Sequence, residues 1–467
     1  MFKISATYTD LYQLRMAQAY FKNNKHEQTA VFDYYFRKNP FEGGYTIFAG
    51  LEDLLQKLKN LQFSKEDISF LKTQNFPDDF LDYLEKFRFH GKIFSVMEGD
   101  VIFPNRPTLR VEGTLIEAQL IETIVLNLLN FQSLIATKAR RMRFIAGNRS
   151  LLDFGLRRAQ GPGGYYASRA AFIGGFDGTS NVIAGEDFNI PISGTMAHSF
   201  VQSYDNELES FRDFAIQLPK KCVLLVDTYN TLKSGIPNAI IVAKEMEARG
   251  EKLFAIRLDS GDLAYFAKES RKLLDAAGLH YVKIAASNQL DEYVIKSLQE
   301  QNAPIDIYGV GTNLVIGKPN GALDGVYKLA FSNGKPRIKI SENLEKITLP
   351  HAKQVYRVTS EEGTWIGADV ISLKTENHVT TMHHPFDPFK QMDIDSLKQE
   401  PLLKEVMGEG EIKIKLRTLS EIAEYSRERF AQLPLEYKRF YNPHQYKIGI
   451  STALKKEQEA LIKSRKI

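Results

Sequence analysis

The sequence predicts an α/β fold: an irregular, TIM-like barrel with an N-terminal α+β domain and a C-terminal extension packed alongside. Three observations predict it. Short apolar runs alternate with helix-length segments, those segments close on glycine, and the ends of the apolar runs carry polar clusters. Lys221 to Asp227 is an apolar run followed by a helix, Ser234 to Arg249, that stops at Gly250. Leu253 to Leu258 is apolar again, and a second helix, Asp262 to Ala277, stops at Gly278. Tyr281 to Ala286, Gln289 to Gln301 and Ile305 to Val310 continue as strand, helix and strand. Upstream, Leu151 to Phe154 with Gly164 to Phe172, and Asn189 to Ile192 with the helix after His198, are units of the same kind. Near-continuous apolar strands alternating with helices imply a parallel sheet with its outer face covered. At least six such units favour closure into a barrel over a doubly wound open sheet, the alternative.

The flanks read differently. Thr29 to Arg37 alternates like a half-buried strand, and Lys92 to Gly113 breaks into short strands separated by Gly, Pro and Asn. Helical patterns follow at Leu51 to Leu61 and Leu115 to Leu129. Pro350 to Ile467 holds the only tryptophan, Trp365, and ends in a charged, helix-like tail. The expected division is therefore an α+β domain over 1–130, the barrel over 131–345 and a third domain over 346–467.

Composition excludes several classes. A net charge of +4 on 467 residues, with both signs interspersed, leaves no nucleic-acid footprint, while anionic small molecules remain suitable partners. No apolar run approaches the about 18 residues of a membrane helix, so neither insertion nor secretion is expected. Cys222 lies inside an apolar stretch and has no second cysteine to pair with, which fits a reducing cytoplasm.

The polar clusters all fall at the C-terminal ends of the predicted strands, the catalytic rim of a barrel. They are Asp153-Phe-Gly-Leu-Arg157-Arg158, Ser193-Gly-Thr-Met-Ala-His198, Asp227-Thr228-Tyr-Asn, Arg257-Leu-Asp259-Ser-Gly-Asp262, Ser287-Asn288 and Gly309-Val-Gly311-Thr312. Any one of them reads equally well as a set of helix caps, but six on one rim point to chemistry. Gly309 and Gly311 leave backbone N–H groups uncovered and able to cradle a phosphate. Arg157 and Arg257 offer planar forks for phosphate or carboxylate, against the alternative of structural salt bridges. Asp259 and Asp262 suit sugar hydroxyls or a hydrated Mg²⁺ ion, with helix capping the competing role for Asp262. His198 follows Gly194 and Thr195 in a turn and lies near Asp227 if neighbouring strands pair. A carboxylate on one ring nitrogen leaves the other basic and nucleophilic, as general base or as phosphoryl acceptor. His383-His384 lacks companions at metal-ligand spacing and reads as a loop.

These motifs, with Thr9-Asp10-Leu11-Tyr12, resemble those of the bacterial-type nicotinate phosphoribosyltransferases over nearly the whole chain. The resemblance implies synthesis of nicotinate mononucleotide and pyrophosphate from nicotinate and 5-phosphoribosyl 1-pyrophosphate in NAD salvage, with Mg²⁺ and ATP as cofactors and the transfer coupled to ATP hydrolysis. It implies that ATP phosphorylates His198 and that Asp227 orients it. Phe154 and Tyr12 match aromatics that sandwich the pyridine ring, the tyrosine coming from a second subunit of a homodimer. Arg157 matches a residue on the base and the phosphoribosyl phosphate, and Thr195 falls on the nicotinate side. Arg257 matches a residue on the base carboxylate or ribose side, and Asp259 one on the ribose hydroxyls. Ser287, Asn288, Gly309, Gly311 and Thr312 match the loops that hold the 5-phosphate. Related nicotinamide-using enzymes carry an aspartate where this chain reads Ser180; a serine hydroxyl donates to the nicotinate carboxylate that an aspartate repels. A nicotinamide- or quinolinate-using transferase and a non-catalytic nucleotide sensor are the alternatives. The sensor has no need of a nucleophile with an orienting carboxylate.

Overall fold

The computed structural model describes residues 4–343 and 346–465. It is a mixed α/β protein of two compact units, one formed by 138–321 and the other by 1–137 together with 322–467.

The unit 138–321 is built on a six-stranded sheet. Its strands, in chain order, are β1 (Ser150–Asp153), β2 (Gly178–Thr179), β3 (Val223–Leu225), β4 (Ala255–Leu258), β5 (Lys283–Ser287) and β6 (Ile307–Val310). They lie in the order β2-β1-β6-β5-β4-β3, with every pairing parallel. The connections carry helices Pro162–Ile173, Ile236–Ala248, Leu263–Ala276 and Glu292–Glu300. These helices begin on the local chemistry expected of N-termini. Asp262 Oδ1 accepts from Ala264 and Tyr265 N–H, and Asp291 Oδ1 from Tyr293 and Val294 N–H. Gly250 and Gly278 follow their helices at φ 76° and 74°, the left-handed conformation that ends a helix at least cost in glycine.

The closed barrel does not form through strand pairing. β2 and β3 are the two edges of the sheet, and the predicted strand Asn189 to Ile192 contributes one bridge, Ile192 to Thr179. Asn189 is left-handed at φ 54° and Pro191 has no N–H to donate, so the ladder cannot be extended there. The two-residue strand β2 takes the edge position instead.

The other unit contains two larger sheets. In the seven-stranded one, Thr29–Phe36 pairs with Gly325–Ser332 on one side and Leu109–Thr114 on the other, and Lys92–Ser95 pairs with Lys404–Gly408. A six-stranded sheet centres on Trp365–Leu373, flanked by Lys353–Thr359 and Lys447–Ser451. Strands from far along the chain thus cover the edges that Thr29–Phe36 and Lys92–Ser95 would otherwise expose. A buried ionic cluster joins the same segments. Arg357 lies 2.9 Å from Asp100 and 3.2 Å from Asp369, Arg106 2.8 Å from Asp369, and the Arg357 guanidinium stacks 4.0 Å above Trp365.

The apolar helical run Leu115–Ala146 has the length and composition of a membrane span, which the sequence reading of Leu115 to Leu129 did not register. Its most apolar window is 67% buried within the protein, the behaviour of a core helix. Near its end, inside the unit 138–321, Lys138 and Arg141 are both buried against Glu292 at 2.5 and 2.8 Å. Burial pushes the Lys138 ammonium below its usual pKa, opposed by the charge of Glu292. Glu292→Gln leaves two buried cations short of a counter-ion and is expected to destabilise the protein by about 3–5 kcal/mol. A thermal melt against wild type measures this.

Candidate active site

Strand alternation sets the site. Val223, Ala255, Ala285 and Ile307, with Leu152, pack together on one face of the parallel sheet. Two residues further along the same faces stand Arg257, Ser287, Gly309 and Phe154. Four residues along from Val223 and Ala255 stand Asp227 and Asp259.

Arg257 is the centre of this layer. Its side chain is 12% exposed; Nε donates to Ser287 Oγ at 3.1 Å, Nη1 to Thr195 Oγ1 and to the Met196 carbonyl at 3.2 Å, and Nη2 lies 3.7 Å from Asp259. Burial holds the guanidinium below its ordinary pKa against the pull of Asp259 and Asp227, and the charge of Arg157 acts in the same direction as burial. Ser287 Oγ donates onward to Asp259 Oδ1 at 2.5 Å. Asp227 Oδ2 accepts from the Asp259 N–H at 2.8 Å and from Ser260 Oγ at 2.7 Å, and Asp227 Oδ1 is buried without a hydrogen-bond partner.

His198 begins the short helix His198–Gln202 beside this network. Its Nδ1 is 3.1 Å from Thr228 Oγ1, whereas Nε2 is 4.0 Å from Asp227 and 3.8 Å from Asp259. Asp227 therefore faces the ring as a charge, beyond hydrogen-bond reach, and the direct hydrogen-bond partner is Thr228. Sequence reasoning quoted Thr228 within a motif without giving it a role. Its adjacency to Asp227 was the available signal, and only the fold shows that it points at the ring.

Phe154 lies against Gly309, where a Cβ would sit 2.4 Å from Phe154 Cε2, so any larger residue there has to push the ring aside. Asp153 shapes the turn after Phe154. Its Oδ1 accepts from Gly155 N–H, and its Oδ2 from Ser168 and Thr179 hydroxyls, while burial raises its pKa. The Ser180 N–H donates to the Asp153 carbonyl at 2.8 Å, which brings Ser180 to the same strand end as Phe154. Arg157 is exposed on the turn Leu156–Arg158.

The loops after β5 and β6 are tied together. Asn288 and Gln289 take left-handed backbone at φ 80° and 52°, Gly311 and Thr312 open a short helical turn, and Asn313 Nδ2 donates to the Gln289 and Leu290 carbonyls at 3.1 Å. Asn313 was missed by sequence reasoning because a buried asparagine after a glycine pair has no distinguishing pattern. Of the remaining expectations, Asp262 is a helix cap. His383 is 2.9 Å from Thr452 Oγ1, and His384 Nδ1 accepts loop N–H groups. Tyr12 belongs to the other unit, exposed on the first turn of helix Leu11–Lys22.

Family models match along the chain: the nicotinate phosphoribosyltransferase N-terminal domain over 7–130, the nicotinate phosphoribosyltransferase family over 149–387 and the C-terminal domain over 352–458. A nicotinate phosphoribosyltransferase of Bacillus subtilis is 43% identical over 454 residues, covering 95% of this chain and 92% of the relative. The chain belongs to the nicotinate phosphoribosyltransferase family. A Dictyostelium discoideum relative of the same name is 39% identical, covering 96% of this chain and 86% of its own. The crystal structure of human nicotinic acid phosphoribosyltransferase superposes with a TM-score of 0.87 at 30% identity, covering 98% of this chain and 99% of that one. A nicotinate-nucleotide pyrophosphorylase from Pyrococcus furiosus, with a TM-score of 0.71 at 24% identity, shares the fold.

Within this family member, the contact between Phe154 and Gly309 is the most direct test of the site geometry. Gly309→Ala is expected to displace the Phe154 ring and raise the KM for nicotinate by about tenfold, with kcat less affected. Steady-state kinetics with nicotinate varied measure both constants.

Proposed function

We propose that this enzyme forms nicotinate mononucleotide and pyrophosphate from nicotinate and 5-phosphoribosyl 1-pyrophosphate, coupled to ATP hydrolysis through a phosphohistidine at His198. One observation carries the reading: His198, Arg257, Asp259, Asp227 and the paired glycine loops stand on one rim of one parallel sheet. The open N–H groups around Gly309, Gly311 and Thr312, with Ser287 and Asn288, would hold the 5-phosphate. Asp259 would accept from the ribose hydroxyls, and Arg257 with Arg157 would neutralise the anionic substrates. Phe154 would stack on the pyridine ring, with Thr195 and Ser180 on its carboxylate side.

Asp227 and Asp259 offer carboxylate oxygens with room for another positive partner, since Asp227 Oδ1 is unpaired. Among the described residues there is no cluster of three metal-ligating side chains, so Mg²⁺ fits here as an ion carried largely by substrate phosphates. When bound, it would supply charge neutralisation to the departing pyrophosphate. The chain's part in the transfer is to align the pyridine nitrogen with the anomeric carbon and to compensate positive character on the ribose with Asp259. His198 Nε2 would take the γ-phosphoryl group of ATP, releasing ADP, and water would later remove it as inorganic phosphate. Coupling works through two enzyme states of different substrate affinity.

Tyr12, half-exposed at 50% beside Leu11 at 58%, would serve the site of a second copy, making the working unit a homodimer. Burial pushes the Cys222 thiol up to about 12, an inert cysteine suited to a cytoplasmic role in NAD salvage.

Wild-type enzyme with nicotinate, phosphoribosyl pyrophosphate and Mg²⁺ is expected to yield nicotinate mononucleotide, with more product and parallel ADP release when ATP is added. His198→Ala should abolish the ADP release while leaving measurable transfer; ADP release that survives this change sinks the coupling. Ser180→Asp is expected to weaken nicotinate relative to nicotinamide by about tenfold or more in kcat/KM, through charge repulsion at the carboxylate. Competition between the two bases reads this directly.

A further inference from the structure

We propose that Thr228 is the positioning residue of the phosphoryl-accepting histidine, holding Nδ1 of His198 so that Nε2 is the reactive nitrogen. The inference rests on the phosphohistidine reading above. A histidine ring can flip by half a turn and exist in two tautomers, so a nucleophilic imidazole needs one nitrogen tied down. In the serine hydrolases a carboxylate does this. Here neither nearby carboxylate reaches hydrogen-bond distance, with Asp259 at 3.8 Å and Asp227 at 4.0 Å from Nε2. Asp227 is committed elsewhere through Oδ2, which accepts from the Asp259 N–H and Ser260 Oγ. The contact that orients the ring is Nδ1 to Thr228 Oγ1 at 3.1 Å.

The assignment of roles follows from what stands at each nitrogen. With Nδ1–H donated to the threonine hydroxyl, Nε2 keeps its lone pair and faces Asp227 and Asp259. Attack by Nε2 on the γ-phosphorus forms the N–P bond as the bond to ADP breaks, and the ring becomes positively charged. The two carboxylates then lie where that charge develops. In the other tautomer Nδ1 accepts from the hydroxyl and Nε2 carries an N–H toward the carboxylates, which leaves no free lone pair on Nε2; a flipped ring would put carbon, not nitrogen, at both places. Thr228 lies three residues past the end of β3 and next to the anchored Asp227, so its backbone is well placed to hold one orientation.

Two substitutions separate this role from simple packing. Thr228→Val keeps the shape and removes the hydroxyl; Thr228→Ser keeps the hydroxyl and removes a methyl. The experiment measures the initial rate of ADP release and the acid-labile, alkali-stable phosphate on the intact enzyme after incubation with ATP and Mg²⁺. Thr228→Val is expected to lose about tenfold or more in both, and Thr228→Ser to stay within about threefold of wild type, as a misoriented nucleophile would. The reverse order, with valine tolerated and serine damaging, overturns the proposal in favour of packing. Both variants near wild type overturn it equally, and thermal melts check that each is folded. His198→Ala run alongside distinguishes the two levels. Phosphate uptake that persists in His198→Ala overturns the phosphohistidine reading itself, whereas uptake lost there but retained in Thr228→Val overturns only the assignment to Thr228.

Discussion

Parallel pairing sets Ala255 opposite both Val223 and Lys283, Ala285 opposite Arg257 and Ile307, and Gly309 opposite Ser287 and Leu152. That register is the constraint on which the rest of the site depends. A slip of one residue would turn Arg257, Ser287 and Gly309 to the other face of the sheet and bring their apolar neighbours into the site. Because each strand alternates with period two, one choice of register sends the guanidinium, the hydroxyl, the glycine and the aromatic ring to one face of the sheet. The small side chain of Ala285, opposite Arg257, leaves space for the guanidinium on that face.

Holding charge in such a layer has a cost that the local network offsets. Arg257 is largely removed from water, and its fork is met by Ser287, Thr195, the Met196 carbonyl and the charge of Asp259. Those partners also fasten the irregular segment that carries His198, since Thr195 and Met196 lie just before it. The position of the histidine and the state of the arginine are thus coupled through shared hydrogen bonds. An anion that drew Arg257 away from Met196 would alter the anchoring of the segment before His198.

Much of this was legible in the chain. The strands Lys221 to Asp227, Leu253 to Leu258, Tyr281 to Ala286 and Ile305 to Val310 each overlap an observed strand, because buried parallel strands are apolar on both faces and stand out against amphipathic helices. Helix ends at Gly250 and Gly278 were legible for the same local reason. The edge of the sheet was not: Asn189 to Ile192 looks like a strand by composition, but its left-handed first residue and Pro191 keep it out of the ladder. The long-range strand pairing of the other unit also lay beyond local signals. Pairing between Lys92–Ser95 and Lys404–Gly408 joins segments about three hundred residues apart, and no periodicity encodes a partner at that distance.

By itself, then, the sequence determined the residue types at the strand ends, the periodicity that sends them to one face, and the family to which their combination points. Those are local properties, set by φ/ψ preferences, burial patterning and side-chain chemistry. The tertiary structure alone decided that Thr228 and not Asp227 bonds the His198 ring, that Asn313 ties the two glycine-bearing loops, and that Asp262 caps a helix. A hydrogen bond depends on differences of less than 1 Å between groups brought together by separate strands, and such distances are fixed only when the whole sheet has packed.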